Sequence, residues 1–385
     1  MAPPPLRIDL LRARARYLLA LGALGLPVCK PSPEASAQTP PNPHRPGSSW
    51  QVPSPDRGTR RTGCQSGVAC IHPSRPPPAA SAGPAPFQRC DTALAVAALG
   101  MTPEHHRATF SPEATLQERR TTPNACCYSW SETGCRGRPL RDGSGAALVA
   151  PSVRAPGDSA LDTSPALSAD PWVAQALAAH WSAEAAAEHA SVAAFAREAT
   201  VLRALGAPEE LLRATQRAAL DEVEHARRVY AEASRWAGAA LGPGALPPLE
   251  ALPEELPALV DRALLDGCLG EGCAALEAEH AAHLARDPDT RALLDAIARD
   301  ETEHAALAWR TVRWALRQGG DPVRERLRAF RAALARGLAA PEPDWSGDGP
   351  LAPYGVPSPA TARAVRRETA RSVVLPCLDA LLAAA

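Results

Sequence analysis

From Asp170 onward, apolar residues return every three or four positions in four successive runs, the spacing of helices that bury one face. Asp170-Pro171 supplies an N-cap followed by a first-turn proline, and the first run covers residues 172–205, stopped by Gly206-Ala207-Pro208. A second run covers 209–238 and a third extends from about 257 to 286. Asp287-Pro288 caps a fourth, which runs to 317 and stops at Gly319-Gly320. The first and third connections are short, so the helices pair as two antiparallel hairpins. The middle connection, 241–257, is rich in Pro and Gly; its roughly 17 residues can reach about 55 Å, enough to travel the length of a helix of about 30 residues. The expected class is therefore all-α: a four-helix bundle with one long crossover, not an up-down-up-down bundle. Two further helical segments, about 322–337 and 360–384, are expected outside it as accessory C-terminal helices within residues 318–385.

The front of the chain has no such period. Its 385 residues include 41 prolines, concentrated in the first third, which separates a poorly helical front from an Ala/Leu-rich back. Four arginines, Arg7, Arg12, Arg14 and Arg16, precede a short apolar run ending at Val28, and Ala35-Ser36-Ala37 offers small residues for cleavage. Residues 1–37 thus read as an export signal, too short in its apolar part for a stable transmembrane helix. Lipidation at Cys29 is the other reading, although Leu26-Pro27-Val28 suits it poorly. The expected location is the periplasm or cell envelope. Residues 38–86 read as a Pro-rich linker and 87–140 as a compact Cys-containing segment, with 141–169 again linker-like. Six cysteines follow the signal in this front half (Cys64, Cys70, Cys90, Cys126, Cys127, Cys135), an even set that suits three disulfides of undetermined pairing. A formal net charge of −1 provides no field for nucleic acid, and none is expected as a partner.

Chemistry enters with a repeated hexapeptide. Asp221-Glu222-Val223-Glu224-His225-Ala226 falls in the second run, and Asp300-Glu301-Thr302-Glu303-His304-Ala305 falls in the fourth, 301 − 222 = 79 residues later. In each copy the first Glu and the His are three apart and share a helix face. That face is the apolar one: Leu211, Thr215, Ala218, Glu222, His225, Val229, Ala233 and Trp236 form one stripe, and Leu294, Ile297, Glu301, His304 and Ala308 the other. Ionised carboxylates on a core seam are very costly unless paired or coordinating a cation. The other two runs carry one seam glutamate each. Glu188 belongs to the stripe Trp181, Ala185, Glu188, Val192, Phe195, and Glu271 to the stripe Leu264, Cys268, Glu271, Ala275, Ala278. Glu271 lies 287 − 271 = 16 residues before Asp287 and Glu301 lies 301 − 287 = 14 after it, so they stand at nearly equal height. Glu279 would miss that height by about 9 Å. Glu188 and Glu222 lie 19 and 15 residues from Ala207, a looser match, but Glu184 would be a further turn away. Glu224, Glu303, His189, His280 and His283 fall off the seam and are expected on the surface.

A seam Glu, an E-x-x-H, a long crossover, another seam Glu and a second E-x-x-H resemble the ferritin-like di-iron carboxylate superfamily, which includes rubrerythrin and bacterioferritin. The likeness covers about residues 171–317. It implies Glu188, Glu222, His225, Glu271, Glu301 and His304 as ligands of two metal ions, most naturally iron, with manganese or zinc as other occupants of the same donors. It implies Glu222 and Glu301 as bridges, and Asp221 and Asp300 as the outer acids that hold the ligating imidazoles. No C-x-x-C pair supplies the electron-transfer centre of rubrerythrins, and the Cys-containing front is foreign to iron-storage shells. The expected function is an oxidoreductase using O2 or peroxide with an unassigned electron donor or substrate. The contrasting expectation is a non-catalytic, metal-stabilised envelope scaffold, and either is compatible with an oligomer.

Overall fold

In the computed structural model of the chain, the described residues are 65–71, 126–132, 137–142, 145, 147–154, 169, 171–246, 255–339 and 351–384. They are mostly helical. Two strands from the front, β1 (Gln65–Ile71) and β2 (Cys126–Glu132), pair antiparallel with Gln65 opposite Glu132 and Ile71 opposite Cys126. β1 lies in a stretch whose composition reads as a tether. The export signal and the side chains of the six front cysteines lie outside the described residues.

The first long helix, α1 (Pro171–Ala204), and the second, α2 (Glu209–Ala237), start and stop within a residue of the sequence expectation. Proline at the first position of α1 needs no N–H partner, and Glu209 and Glu210 sit in the first turn of α2, where its positive dipole end favours acids. The third run is not one regular helix. It comprises α3 (Leu256–Arg262), a π-helical segment (Ala263–Glu271) and α4 (Gly272–Leu284). In a π turn the backbone hydrogen bonds reach one residue further, which rotates the residues that follow; such turns gather at functional sites. Asp287, whose side chain accepts from the Asp289 N–H, caps α5 (Pro288–Leu338). As expected, the double glycine stops the fourth run within α5: Gly320 has φ 53° and ψ −128°, outside helical space, and the next helical segment follows at once. The C-terminus adds α6 (Pro359–Thr369), a short π-helical segment (Ala370–Val374) and α7 (Leu375–Ala384).

α1 packs along α2, and the π segment, α3 and α4 pack along α5, while α2 and α5 join the two hairpins. The C-terminal half of α1 shares a cluster with the N-terminal half of α2, so these helices run antiparallel. Apolar side chains form two separate clusters. One holds Phe195, Leu202, Leu211, Leu259, Leu264, Trp309 and Val312, and the C-terminal Val373, Val374 and Leu378 cover it. The other holds Val173, Leu177, Trp181, Val229, Trp236, Leu293 and Ile297. Between the two clusters, at mid-height on all four runs, lies a belt of carboxylates and imidazoles.

The connection after α2 begins with β4 (Leu241–Pro243), paired antiparallel with β3 (Ser152–Arg154). Residues 247–254 lie outside the described set. Upstream of β3, residues 137–142 form a strap folded onto α1: Leu148 N–H donates to Leu140 O (2.7 Å), and Leu140 packs fully buried against Ala190 and Ala194. No helix among the described residues is long and apolar enough to cross a membrane.

Candidate metal centre

Each E-x-x-H pair reaches the belt by helical spacing alone. Glu222 and His225 are each 1 % exposed, and Glu301 and His304 are each 2 % exposed. All eight positions of the α2 stripe are buried, as are the five expected on α5. Glu188 joins from α1 with its side chain 17 % exposed, and Glu271 joins from the last residue of the π segment, fully buried.

The six side chains form two overlapping donor groups. Glu188, Glu222, His225 and Glu301 make one; Glu222, Glu271, Glu301 and His304 make the other; in each, one donor atom per residue lies within 4.8 Å of every other. Glu222 and Glu301 belong to both. His225 Nδ1 is 3.7 Å from Glu188 Oε2 and 3.6 Å from both Glu222 Oε2 and Glu301 Oε1. His304 Nδ1 is 3.2 Å from Glu222 Oε1 and 3.8 Å from Glu301 Oε1. The two imidazole centroids are 6.1 Å apart.

The outer ring nitrogens have partners across the helix pair. His225 Nε2 lies 3.0 Å from Asp300 Oδ2, and His304 Nε2 lies 3.3 Å from Asp221 Oδ2. A carboxylate there requires an N–H, which fixes the proton on Nε2 and turns the Nδ1 lone pair toward the belt. The donor set therefore fits a metal. His225 Nδ1, His304 Nδ1 and one oxygen each of Glu222, Glu271 and Glu301 are buried without a hydrogen-bond partner. Five orphaned buried donors aimed at one region would cost several kcal/mol unless something positive meets them.

Without a cation, protons must supply the compensating charge. Burial alone would lower the pKa of His225, but the hydrogen bond its ring donates to Asp300 and the nearby carboxylates of Glu188 and Glu222 more than offset it and hold the imidazole protonated well above its ordinary range. His304 behaves alike, with burial opposed by Asp221, Glu222 and Glu301. Burial, and then the nearby Glu301 carboxylate, push the Glu271 carboxyl well up, with Arg138 working against them. Asp300 is held low by its hydrogen bond to His225.

Sequence reasoning did not find the arginine in this belt. Arg138, on the strap, is 3 % exposed and 133 residues from its partner Glu271, to which Nε donates at 3.2 Å. Its Nη1 pairs with Glu198 of α1, and its guanidinium lies 4.4 Å from the Phe195 ring centroid. Phe195 in turn meets the His304 ring edge-on at 5.1 Å. A second buried pair, Arg141 to Asp266 at 2.7 Å, anchors the strap one turn further along. Burial of Glu198 departs from the expected α1 stripe, in which Val192 is only half-buried. One signal was present: Gly267 and Gly270 in a helical run. A Cβ on Gly270 would lie 2.3 Å from Gly137 O, so this glycine makes room for the strap, and one on Gly267 would lie 2.3 Å from Ala308 Cβ of α5 and 2.8 Å from Arg138 Nη2.

The two sides of the belt differ in access. A cleft reaches Glu188, Glu222, Glu271 and Glu301 past Glu184, Glu277 and Trp181, walled by Val229, Leu294 and Ile297. Glu224, Glu303 and His283 are exposed as expected, whereas His280 is buried at 6 % exposure on a helix, α4, that is buried on most of its faces. Cys268 and Cys273 are buried free thiols. Tyr230 stays away from the ligands, its hydroxyl 3.4 Å from Ser152 Oγ. Comparison with family models, curated proteins and solved structures returns no match for this chain.

Proposed function

We propose that residues 170–317 form a ferritin-like four-helix bundle with one long crossover, and that its belt binds two iron ions for a redox reaction with O2 or peroxide. One observation carries this reading: two donor groups share Glu222 and Glu301, and each ends in an imidazole whose free nitrogen faces the shared carboxylates. A single structural ion has no need of a second, overlapping donor set. In this reading Glu188 and His225 complete one ion, Glu271 and His304 the other, and Glu222 and Glu301 bridge them. Manganese or zinc suits the same oxygen and nitrogen donors, so identity follows supply as well as affinity. Two irons held there would supply reversible electron transfer to O2 or peroxide.

The protein's own part is to orient, to exclude water and to hold protons. Asp221 and Asp300 fix the imidazole tautomers, and the apolar clusters on either side keep bulk water from the belt. Glu188, partly exposed at the cleft, is the carboxylate best placed to exchange a proton or move aside for an incoming molecule. The first 37 residues as an export signal place this chemistry in the envelope.

The test is metal content and absorption of the full chain, produced anaerobically with iron and then exposed to oxygen. Two irons per chain, with a ferric charge-transfer band that grows on exposure, are expected. Retention of zinc alone, or of iron with no oxygen-dependent spectrum, overturns the redox reading in favour of a metal-stabilised scaffold.

A further inference from the structure

The geometry points to the strap at 137–141 as part of the metal centre, with Arg138 a positioning residue that sets Glu271 for the His304-side ion. The inference rests on the two-metal reading above. A glutamate at the end of a π segment has a side chain with several rotamers, and Arg138 selects one of them. Its Nε–H engages one Glu271 oxygen and leaves the other without a partner, free to serve as a ligand. Arg138 is itself held rigidly. Nη1 pairs with Glu198, Phe195 stacks under the guanidinium, and the Arg138 carbonyl accepts from Ser191 Oγ at 2.9 Å.

The helices are shaped to accept the strap. Gly137 N–H donates to Gly270 O at 3.2 Å, and Gly137 has φ 64°, a left-handed conformation that other residues adopt only under strain. A Cβ on Gly270 would collide with Gly137 O, so position 270 accepts no larger side chain while the strap is docked. On the opposite side, no arginine among the described residues pairs with Glu188, whose side chain is 17 % exposed. The strap therefore stabilises one of two chemically similar positions. It also ties the front of the chain to the centre: the helical part alone lacks a residue that touches a ligand.

The experiment is Co²⁺ titration of the full chain, read by stoichiometry and by d–d absorption, for wild type, Arg138→Gln, Arg138→Lys and Gly270→Ala. Wild type is expected to bind two ions. Arg138→Gln is expected to bind one tightly and the second 10- to 100-fold more weakly, the usual cost of losing an outer partner of a ligand. Arg138→Lys keeps the charge but not the fork and falls between them. Gly270→Ala keeps Arg138 but displaces the strap, and is expected to lose the same ion; it tests the proposal even if Arg138→Gln does not fold. Two tight ions in either Arg138→Gln or Gly270→Ala overturn the inference. No tight ion in wild type overturns the two-metal reading instead, so the two failures are distinct.

Discussion

The two ends of the belt come from matching sequence motifs, yet they are built differently. On the His225 side the third carboxylate is Glu188, 17 % exposed, carried by a regular helix and opening onto a cleft. On the His304 side it is Glu271, 0 % exposed, carried by a π turn and held by a buried arginine from a distant segment. A hexapeptide repeat thus specifies two equivalent E-x-x-H pairs, but the partners supplied by the other helices make the positions unequal. In the two-metal reading proposed above, the more exposed Glu188 would suit an exchanging position and the buried, arginine-paired Glu271 a retained one.

The comparison breaks most completely at the shared residues. Glu301→Ala removes a donor from both groups and is expected to abolish tight binding of both ions, read by metal analysis after gel filtration. Retention of either ion would mean that Glu301 does not bridge. The next effect separates the two sides. Glu271→Ala deletes a fully buried side chain and leaves the Arg138 Nε–H unpaired, so a stability loss of about 2–3 kcal/mol is expected along with the His304-side ion. Glu188→Ala, at a half-open position, is expected to cost about 0.5 kcal/mol or less of metal-free stability and to weaken only the His225-side ion. Denaturant unfolding of both variants with chelator present measures the difference. Equal losses would erase the asymmetry.

Much of this was legible because helical periodicity is a local property. The α2 stripe from Leu211 to Trp236 is buried at every expected position, and the height of Glu271 against Glu301 follows from residue counts about a single turn. Composition could not reveal the strap. Gly137 and Arg138 end the segment read as Cys-containing and Arg141 opens one read as linker, while their partners Glu198, Glu271 and Asp266 are 60 to 133 residues away. Nothing local encodes such a pairing. The π turn was hidden for a related reason. Its residues are ordinary helix and glycine types, with no composition that marks the extra residue per turn.

Proton compensation in the metal-free belt gives a pH signature of the more buried side. The pKa values of His225, His304 and Glu271 are all raised in the folded chain. A histidine raised on folding stabilises fully below its unfolded value, about 6.5, and that contribution is lost as pH climbs through the folded value. Glu271 has the same sign, because the folded chain holds the proton more tightly than the unfolded one. Asp300, held low, acts oppositely: its contribution is present above about pH 4 and lost as pH falls below that. The metal-free protein is therefore expected to melt highest between about pH 4.5 and 6.5 and progressively lower toward pH 9. Metal-loaded protein should not follow, since ligands bind deprotonated and rising pH favours the ion. Calorimetry with chelator and with zinc at pH 6 and 9 should show the gap between the two melting temperatures widening with pH. A metal-free melting temperature that is flat or rises over that range would mean the belt is not compensated by protons.

The smallest effect lies in the outer acids, and it tests whether asymmetry extends beyond the third carboxylates. Asp300 stands 3.0 Å from His225 Nε2, and Asp221 stands 3.3 Å from His304 Nε2. Both are partly exposed, at 43 % and 37 % of their side chains, so water can replace part of either hydrogen bond. Replacement by asparagine keeps the shape and removes the charge that makes the imidazole a stronger donor to metal. Each variant should weaken one ion by about 10-fold, the low end for such partners, because solvent screens the lost charge. Asp300→Asn acts on the His225 side, where Glu188 is loosely held, and there the ion has less to fall back on. Asp221→Asn acts on the side where Arg138 and Glu271 remain in place. The expected order is a larger loss for Asp300→Asn, measured by competition with a chromophoric chelator. A larger loss for Asp221→Asn would show that retention on the His304 side depends on the imidazole more than on the arginine-held carboxylate.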